Sequence, residues 1–512
     1  MTYYLGIDVG TSGTKVLLMD AEGRIRATAS SAYEVRVPRP LWSEQDPDDW
    51  YEAAVAATRA VLKKSRIGGK QVGGIGFSGQ MHGLVLTDGA GKPLRPCILW
   101  NDQRSAEQAE QIERRVGGKS ELVAMVGNVA MTSFTLTRLL WVRQHEPAVY
   151  ERAKHLLLPK DYVRLRLTGE YAADVSDASG TLMLDNHRRD WSGWALSLFD
   201  VDRALLPPVL ESQQVAGRLR PEAAEAMGLA AGTPVVAGGG DQPVGAVGAG
   251  VVSEGLCGAT VGTSGVVILH TTRYRTEPSG GVQTFCAAVP GQWCMFGCVL
   301  AAGGSLQWFR NVLGGAEVAK AKKKGIDPYV LLGERAAAAP PGCQGLFWLP
   351  YLTGERTPHA DPHARAGWIG IHAGTTRDDL VRSVMEGATY AMNDVLTVLR
   401  GLGLPIRQVR LAGGGARSAL WRQMQADIYG LPCATLNVAE APAYGAAILA
   451  AVGTGGFKDV REACRAGIRV TQTIRPSPAR RRFYAERYAQ FRRLYPALKD
   501  EFAAIAALGG GR

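Results

Sequence analysis

Leu5–Met19 is LGIDVGTSGTKVLLM, and Cys257–His270, about half the chain further on, is CGATVGTSGVVILH. The two stretches share the core VGTSG, with apolar, β-rich residues on both sides of it. A strand that runs into a Gly-Thr-Ser-Gly turn and then into a second strand predicts a β-hairpin with a glycine-rich tip. Because the pattern recurs at this distance, the sequence predicts two homologous halves.

A glycine-rich tip lets backbone N–H groups approach an anion, and the adjacent hydroxyls add donors, so each tip is a candidate phosphate loop. For either copy alone, a plain hairpin turn is the alternative. Only the first copy carries a carboxylate, since Asp8 corresponds to Thr260 and Lys15 to Val267. This asymmetry favours a Mg²⁺ ion linked to Asp8, because Mg²⁺ usually takes one or two carboxylates beside phosphate oxygens and water. A turn-stabilising aspartate is the alternative for Asp8.

The composition is that of a soluble globular protein. The 512 residues are too many for one ordinary core, and 46% are hydrophobic and 21% charged, so two large domains are expected. The start MTYYLGIDVG has no leader pattern and no apolar run reaches about 18 residues, which predicts a cytoplasmic protein without a membrane partner. The eight cysteines lack paired spacing, so neither zinc nor disulfides are indicated.

The formal charge of +11 is partly local to the C-terminal segment, so it does not by itself indicate a nucleic-acid partner. That segment carries apolar residues at spacings of four and three: Tyr484, Tyr488, Phe491, Tyr495, Leu498 and Phe502. The spacing predicts an amphipathic helix that packs on the body, broken or kinked at Pro496, with a polyanion-binding tail as the alternative. We therefore expect an N-terminal domain over 1–246, a C-terminal domain over 247–455 and a helical extension over 456–512.

Local patterns predict several further elements. Asp46-Pro47-Asp48-Asp49 has the chemistry of a helix start, and Leu84–Thr87 with Leu94–Pro96 predicts another hairpin. Strands that alternate with helices make this an α/β protein.

Asp241 follows an apolar strand and three glycines in Val235–Pro243, VVAGGGDQP. It can be a helix N-cap. It can also be a general base at the mouth of an inter-domain cleft, with the glycines leaving room for a substrate, because phosphoryl transfer needs a group that accepts the proton of the attacking hydroxyl.

Two other glycine-rich turns, Gly413–Ser418 and the weaker Gly303–Gln307, can let an adenine or ribose lie against backbone, or can be tight strand-to-helix connections. His82 lies in the glycine-bounded loop GQMHG, which favours a ligand contact over a core position, whereas Met81 can equally be core.

Taken together, these motifs resemble the FGGY carbohydrate kinase family from Tyr4 to about Tyr495. The resemblance rests on IDVGTSGTK (Ile7–Lys15), GQMHG (Gly79–Gly83), LPKDYVRLRLTGE (Leu158–Glu170), GGGDQ (Gly238–Gln242), LPYLTGERTPH (Leu349–His359) and GGGARS (Gly413–Ser418).

The resemblance implies an actin-like ATPase fold, with two duplicated ribonuclease-H-like domains and a deep cleft between them. It implies transfer of the γ-phosphate of ATP to O5 of D-xylulose, giving D-xylulose 5-phosphate and ADP, with Mg²⁺. By motif match, Asp241 is the proton acceptor, Met81, His82 and Gln242 lie at the sugar, and Asp8 is the metal-linked carboxylate. The positions that match nucleotide contacts are Thr11, Ser12, Thr263, Gly303, Gln307, Gly414, Gly415 and Ser418.

Two residues depart from the family pattern: Gln242 stands where some members have Asn, and Arg138 where the first signature usually has Lys. A kinase of the same family for ribulose, gluconate or a xylitol-like polyol is the nearest alternative function. A non-catalytic sugar sensor or actin-like ATPase scaffold is a more distant one. The sequence leaves the oligomeric state open, and a homodimer is compatible with it.

Overall fold

The structure, a computed structural model, describes residues 1–509. Its strands are β1 (Tyr3–Val9), β2 (Gly13–Asp20), β3 (Ile25–Ala32), β4 (Glu44–Gln45), β5 (Val72–Gly79), β6 (Val85–Thr87), β7 (Cys97–Ile98), β8 (His155–Leu157), β9 (Ala173–Asp174), β10 (Leu184–Asp185), β11 (Asp190–Trp191), β12 (Val209–Leu210), β13 (Val215–Arg218), β14 (Pro234–Val236), β15 (Gly239–Gly240), β16 (Gly255–Val261), β17 (Gly265–Thr271), β18 (Gln283–Cys286), β19 (Trp293–Val299), β20 (Phe347–Leu349), β21 (Gly367–Ile369), β22 (Ile406–Gly413), β23 (Cys433–Leu436) and β24 (Val470–Ile474).

The α-helices are α1 (Pro47–Ser65), α2 (Ala106–Val116), α3 (Lys119–Val126), α4 (Thr135–His145), α5 (Pro147–Arg152), α6 (Pro159–Thr168), α7 (Val175–Ala178), α8 (Gly193–Phe199), α9 (Pro221–Met227), α10 (Asp241–Gly248), α11 (Ala302–Val312), α12 (Gly315–Lys324), α13 (Pro328–Ala338), α14 (Arg377–Gly401), α15 (Ala419–Tyr429), α16 (Ala441–Gly453), α17 (Val460–Gly467) and α18 (Pro478–Gly509).

These elements form two units, each drawn from separated segments. The first unit contains Met1–Ser253, His270–Cys294 and Glu440–Arg469, and the second contains Glu254–Leu269, Met295–Ala439 and the chain from Val470 onward. The three-part division expected from the sequence, 1–246, 247–455 and 456–512, stays a prediction, and its residues 510–512 lie outside the described residues.

A mixed sheet in the order β13–β14–β5–β1–β2–β3 is the centre of the first unit, with β15 beside β5. β1 pairs antiparallel with β2, so the predicted hairpin around the first VGTSG is confirmed. β1 also runs parallel to β5, whose far side carries β14 and β15. The carboxyl ends of β1, β5 and β15 therefore meet at one edge of this sheet.

Two helices pack closely on this sheet. α1 begins as predicted, with Asp46 as N-cap accepting from the Asp48 N–H, and it buries Trp50 and the small residues that follow it at helical spacing. α16 lies on β1 and β5 so closely that a Cβ on Gly6 would overlap the carbonyl oxygen of Ala443. The glycine in β1 is thus needed for the approach of a helix backbone.

The second unit repeats this arrangement. Its sheet contains the neighbouring strands β19–β17–β16–β22–β23–β24, in which β16 is antiparallel to β17 and parallel to β22. The same hairpin-plus-parallel-strand pattern in both units confirms the prediction of two homologous halves.

The final helix, α18, packs on the second unit through the predicted aromatic stripe. Tyr484, Phe491, Tyr495 and Phe502 are buried, and the Tyr484 hydroxyl donates to Glu386 over 2.8 Å. A break at Pro496 is wrong, because the helix continues through it. Pro496 is exposed, while buried aromatic residues on either side hold the chain in place, which offsets the lost backbone bond.

The hairpin predicted for Leu84–Pro96 is only partly correct. The main partner of β6 is β8, which lies far along the chain, and the return segment adds a single bridge between Thr87 and Pro93. Within residues 1–509, no helix has the length and apolar character needed to cross a membrane.

Candidate active site

Asp8 lies near the carboxyl end of β1, one residue before Val9 and the glycine-rich turn. It is paired with Lys15 on β2 and with Ser78 on β5. The Ser78 hydroxyl donates to Asp8 Oδ1 over 2.8 Å. Lys15 itself forms an ion pair with Glu440, just ahead of α16.

Burial is the main influence on the pKa of Asp8. Burial raises the pKa of Asp8 above its ordinary value, while the Ser78 hydrogen bond and the Lys15 charge oppose the rise and the Glu440 charge adds to it. A buried carboxylate with one hydroxyl donor and one nearby cation gains from a further positive charge.

Asp241 is the first residue of α10, directly after β15. Ser78 on β5 is paired with Asp8 on one side and with Gly239 on the other. One strand, β5, therefore lies between β1, which contains Asp8, and β15, which directly precedes Asp241. Burial raises the pKa of Asp241 to about 7, the Asp8 carboxylate adds to the rise, and hydrogen bonding from Gln242 opposes it. At this edge of the sheet, therefore, the Asp8 carboxylate hinders the ionisation of Asp241.

The capping interpretation of Asp241 does not fit this geometry. The N-cap of α10 is Gly240, and no side chain there caps the helix. Gln242 Nε2 lies 3.4 Å from Asp241 Oδ1, so the residue that departs from the family pattern contacts the candidate base directly.

The three glycines before Asp241 do not leave room for a substrate, contrary to the expectation from the sequence. A Cβ on Gly238 would overlap the Phe77 carbonyl oxygen, and one on Gly239 would overlap the Ser176 hydroxyl. A Cβ on Gly240 would lie 2.8 Å from Met81 Cγ. The glycines are required because protein atoms, including Met81 of the predicted sugar loop, pack against the backbone here.

His82 is held in a strained, buried loop. Its φ is +71°, in the left-handed region, and its Nδ1 lies 2.9 Å from the Gly180 carbonyl oxygen. Since a carbonyl only accepts, Nδ1 carries the proton, and a neutral ring therefore has Nε2 as an acceptor. The ring lies edge-on to Phe134 and Phe285, with centroids 4.9 and 6.1 Å away.

Arg138 holds the loop of His82 through the backbone carbonyl oxygen of His82. Arg138 Nη1 donates to the His82 carbonyl oxygen over 2.9 Å, and Thr135 donates to the same oxygen over 3.0 Å. The second departure from the family pattern thus acts on the backbone of the predicted sugar loop, where the guanidinium offers several donors.

In the first turn, the Thr11 hydroxyl donates to Gln80 over 3.1 Å and accepts from Trp100 Nε1 over 3.0 Å. Ser12 follows it at the tip. Both residues belong to the first unit.

Six other predicted nucleotide residues line one cavity of about 750 Å³ in the second unit: Thr263, Gly303, Gln307, Gly414, Gly415 and Ser418. This volume suits a nucleotide. α13 and the residue before it add Asp327, Tyr329, Val330 and Glu334 to the lining. These residues were not predictable from the sequence, because nothing in that segment marks it as glycine-rich or catalytic.

Glycines bring the walls of this cavity together. The Gly303 N–H donates to the Gly262 carbonyl oxygen over 2.9 Å, and a Cβ on Gly303 would overlap that oxygen. A Cβ on Gly415 would lie 2.7 Å from Val261 Cβ. The start of α11 therefore touches the second VGTSG turn through its backbone, and the GGGARS turn packs against the Val261 side chain at the start of that turn.

The residues around Asp8 fit a metal that is held mainly by other ligands. No group of three or more His, Cys, Asp or Glu side chains suited to a metal occurs in residues 1–509. Asp8 offers a carboxylate beside the first turn, which matches the way Mg²⁺ is bound by one or two carboxylates plus phosphate oxygens and water.

No structural role was predicted from the sequence for LPKDYVRLR (Leu158–Arg166). This stretch buries Lys160 and Arg164 completely, and Arg164 Nη1 donates to the carbonyl oxygen of Ala237, at the start of the segment that precedes Asp241. The available signal was the presence of Lys160, Asp161 and Arg164 among the apolar residues of α6, because such charged residues are rarely buried without partners.

Comparison with known proteins gives a consistent result over nearly the whole chain. Residues 3–248 match the family model described as FGGY family of carbohydrate kinases, N-terminal domain, and residues 257–454 match its C-terminal domain. The chain is 39% identical to the xylulose kinase of Escherichia coli (strain K12), over 97% of this chain and 99% of that protein. It is 36% identical to the xylulose kinase of Bacillus subtilis (strain 168), over 99% of both. The crystal structure of xylulose kinase from Rhodospirillum rubrum matches with a TM-score of 0.90 and 28% identity, over 98% of this chain and 100% of that one.

Proposed function

The chain belongs to the FGGY family of carbohydrate kinases and is a sugar kinase that uses ATP, and on that premise we propose that it phosphorylates D-xylulose at O5, giving D-xylulose 5-phosphate and ADP. The curated relatives of similar length named xylulose kinase support this choice of sugar. The observation that carries the proposal is the position of Asp241, which directly follows β15 and lies beside the loop of Met81 and His82, since Gly240 packs against Met81.

In this proposal Asp241 is the general base. A base works best when its pKa lies near the operating pH, because it is then largely ionised yet still basic enough to take a proton. Burial and the Asp8 charge support that tuning. The proton of the sugar hydroxyl passes to Asp241 as the oxygen attacks the γ-phosphorus and the bond to ADP breaks.

His82 and Met81 hold the sugar. His82 Nε2, the acceptor of the neutral ring, takes a hydrogen bond from a sugar hydroxyl, while Gly180 fixes the ring through Nδ1. Phe134 and Phe285 flank the ring and exclude water from it.

The nucleotide is held by the cavity of the second unit, with Thr263, Gly303, Gln307, Gly414, Gly415 and Ser418 in its wall. Thr11 and Ser12 offer backbone N–H groups to phosphate at the first turn. Asp8 would hold Mg²⁺, which would supply positive charge to the phosphate oxygens.

A substrate panel tests the choice of sugar. Phosphorylation of D-xylulose, ribulose, gluconate and xylitol is followed by coupled detection of ADP. We expect the highest kcat/KM with D-xylulose, and a tenfold higher value with any other compound would replace it as the substrate. Sugar-independent ATP hydrolysis at the same rate would instead favour an ATPase scaffold.

Asp241→Asn tests the role of the base. We expect kcat to fall by roughly 10²- to 10⁴-fold, with nucleotide binding kept. Unchanged phosphorylation would contradict the role of Asp241.

A further inference from the structure

The segment Ala237–Gly240 has almost no side chains with which to anchor itself, yet it sets the position of Asp241. Its two ends are held by groups from other elements. Arg164 Nη1 donates to the Ala237 carbonyl oxygen over 2.6 Å, and the Gly240 N–H donates to the Ser176 hydroxyl over 3.2 Å.

Lys160 joins these two anchors. Its Nζ lies 2.5 Å from Asp161 Oδ1 and 2.6 Å from Asp174 Oδ2. Asp161 pairs with Arg164 over 2.8 Å, and Asp174 Oδ1 accepts from the Ser176 hydroxyl over 2.6 Å. The connected path thus runs from Ala237 through Arg164, Asp161, Lys160, Asp174 and Ser176 to Gly240.

All members of this path are buried. The exposed fraction is 0% for Lys160, Arg164, Asp174 and Ser176 and 1% for Asp161. The carboxylate of Asp177, also buried, lies 3.4 Å from Lys160 Nζ, and neither of its oxygens has a hydrogen-bond partner among the described residues. The Lys160 ammonium lies among three buried carboxylates, and Arg164 pairs with only one of them. Removing these charges from water costs free energy, so the network is better explained by the residues that it holds in place than by the stability that it adds.

We propose that this network, which we name the Lys160 frame (Lys160, Asp161, Arg164, Asp174 and Ser176), positions Asp241 for proton transfer by fixing both ends of the glycine segment before it. Its members are positioning residues, since none of them contacts the reacting atoms. The inference deepens the proposed function, because it rests on Asp241 as the base.

Ser176→Ala is the main test, because it removes the contact to Gly240 and leaves every charge in place. We expect kcat to fall roughly 10- to 100-fold, as for a small misplacement of a reacting group, with the KM for ATP unchanged. The matched control is Ser192→Ala, since Ser192 is also a buried serine that accepts a backbone N–H, from Ala195 over 3.2 Å, at the start of α8. It should keep the kcat of the wild type.

A double variant separates positioning from general destabilisation. In the Asp241→Asn background, Ser176→Ala should change kcat less than about twofold, because the residue through which it acts is already lost. The same loss in both backgrounds, or a Ser176→Ala kcat equal to that of Ser192→Ala, would overturn the inference. Lys160→Met should show the same pattern with a larger loss, and its folding is first checked by thermal unfolding.

The test also distinguishes this inference from the proposed function. All variants are measured with the sugar that the wild type phosphorylates fastest, so a different sugar leaves the test valid. An inactive Asp241→Asn with a fully active Ser176→Ala overturns only the frame. A fully active Asp241→Asn overturns the base and the frame together.

Discussion

Asp8 opposes the ionisation of Asp241 across β5, which pairs with β1 on one side and, on the other, with β15, the strand directly before Asp241. Burial raises the pKa of Asp241 to about 7, and the Asp8 carboxylate adds to that rise. The same end of the sheet therefore carries a carboxylate that attracts positive charge and a second that holds a proton near neutral pH.

The first prediction concerns the pH dependence of the reaction. Because the base acts only when ionised, log kcat/KM for D-xylulose should rise with a slope of one up to about pH 7 and then level off. Steady-state rates between pH 5 and 9 measure this profile. A profile that is flat down to pH 5 would exclude Asp241 as the group that titrates.

The second prediction uses Gln242, whose amide lies 3.4 Å from Asp241 Oδ1. Hydrogen bonding from Gln242 lowers the pKa of Asp241, so Gln242→Met should move the rise in the pH–rate profile to higher pH. The comparison is between two full profiles under identical buffers. An unchanged midpoint would show that this contact does not tune the base.

The third prediction concerns stability. The pKa of Asp241 in the folded state is about 7, above the usual value for Asp of about 3.9. The folded protein therefore binds this proton more tightly than the unfolded chain does. Ionisation of Asp241 destabilises the folded protein progressively from about pH 4 to pH 7. Asp241→Asn should therefore raise the Tm at pH 8, with a smaller rise at pH 5. Asp500→Asn, at an exposed position of α18, is the control and should leave the Tm unchanged at both pH values. A lower Tm for Asp241→Asn at pH 8 would contradict the sign of the shift.

The fourth prediction tests how His82 is held. A Cβ on Gly180 would overlap His82 Nδ1, so Gly180→Ala must displace the ring. With the loss of about one hydrogen bond, 0.5–1.5 kcal/mol, the KM for D-xylulose should rise by roughly 2- to 12-fold, with the KM for ATP unchanged. Gly193→Ala is the matched control, because a Cβ there meets nothing within 4 Å. Equal sugar KM values for the two variants would argue against a sugar contact by His82.

The fifth prediction tests the cavity of the second unit. Gly303→Ala would force the start of α11 away from the Gly262 carbonyl oxygen and should weaken binding of an ATP analogue roughly tenfold. Trp421 lines the cavity, so its fluorescence offers a direct titration. Gly315→Ala, open within 4 Å, should bind as the wild type does. If both variants bind equally well, the cavity is not the nucleotide site.

The local elements were predictable from the sequence because their signals are short-range. The hairpins around the two VGTSG cores follow from glycine and β-branched residues in immediate succession. The start of α1 follows from Asp46 and Pro47. The partner of β6 was not predictable, because β8 lies about 70 residues further on and strand pairing at that distance leaves no local signal.

The duplicated sequence still concealed a difference in the turns. Four residues separate the paired Val9 and Thr14 in the first hairpin, whereas three separate Val261 and Gly265 in the second. The same VGTSG sequence therefore pairs in a different register in each of the two hairpins. The choice depends on the strands packed around each hairpin, which the five residues themselves do not determine.

The sequence by itself determined the duplicated halves, the position of Asp8 near the end of one strand, the position of Asp241 directly after another, and the glycine-rich turns, since each depends on residues adjacent in the chain. Only the tertiary structure decided that β5 brings Asp8 and Asp241 to one edge of the sheet. It also decided that Phe77, Ser176 and Met81 occupy the space beside the three glycines before Asp241, and that Lys160 links both ends of that segment through its ion pairs. The physical reason is that pKa values, close backbone contacts and buried ion pairs arise between residues far apart in the chain, and they exist only after the sheet and its helices have packed.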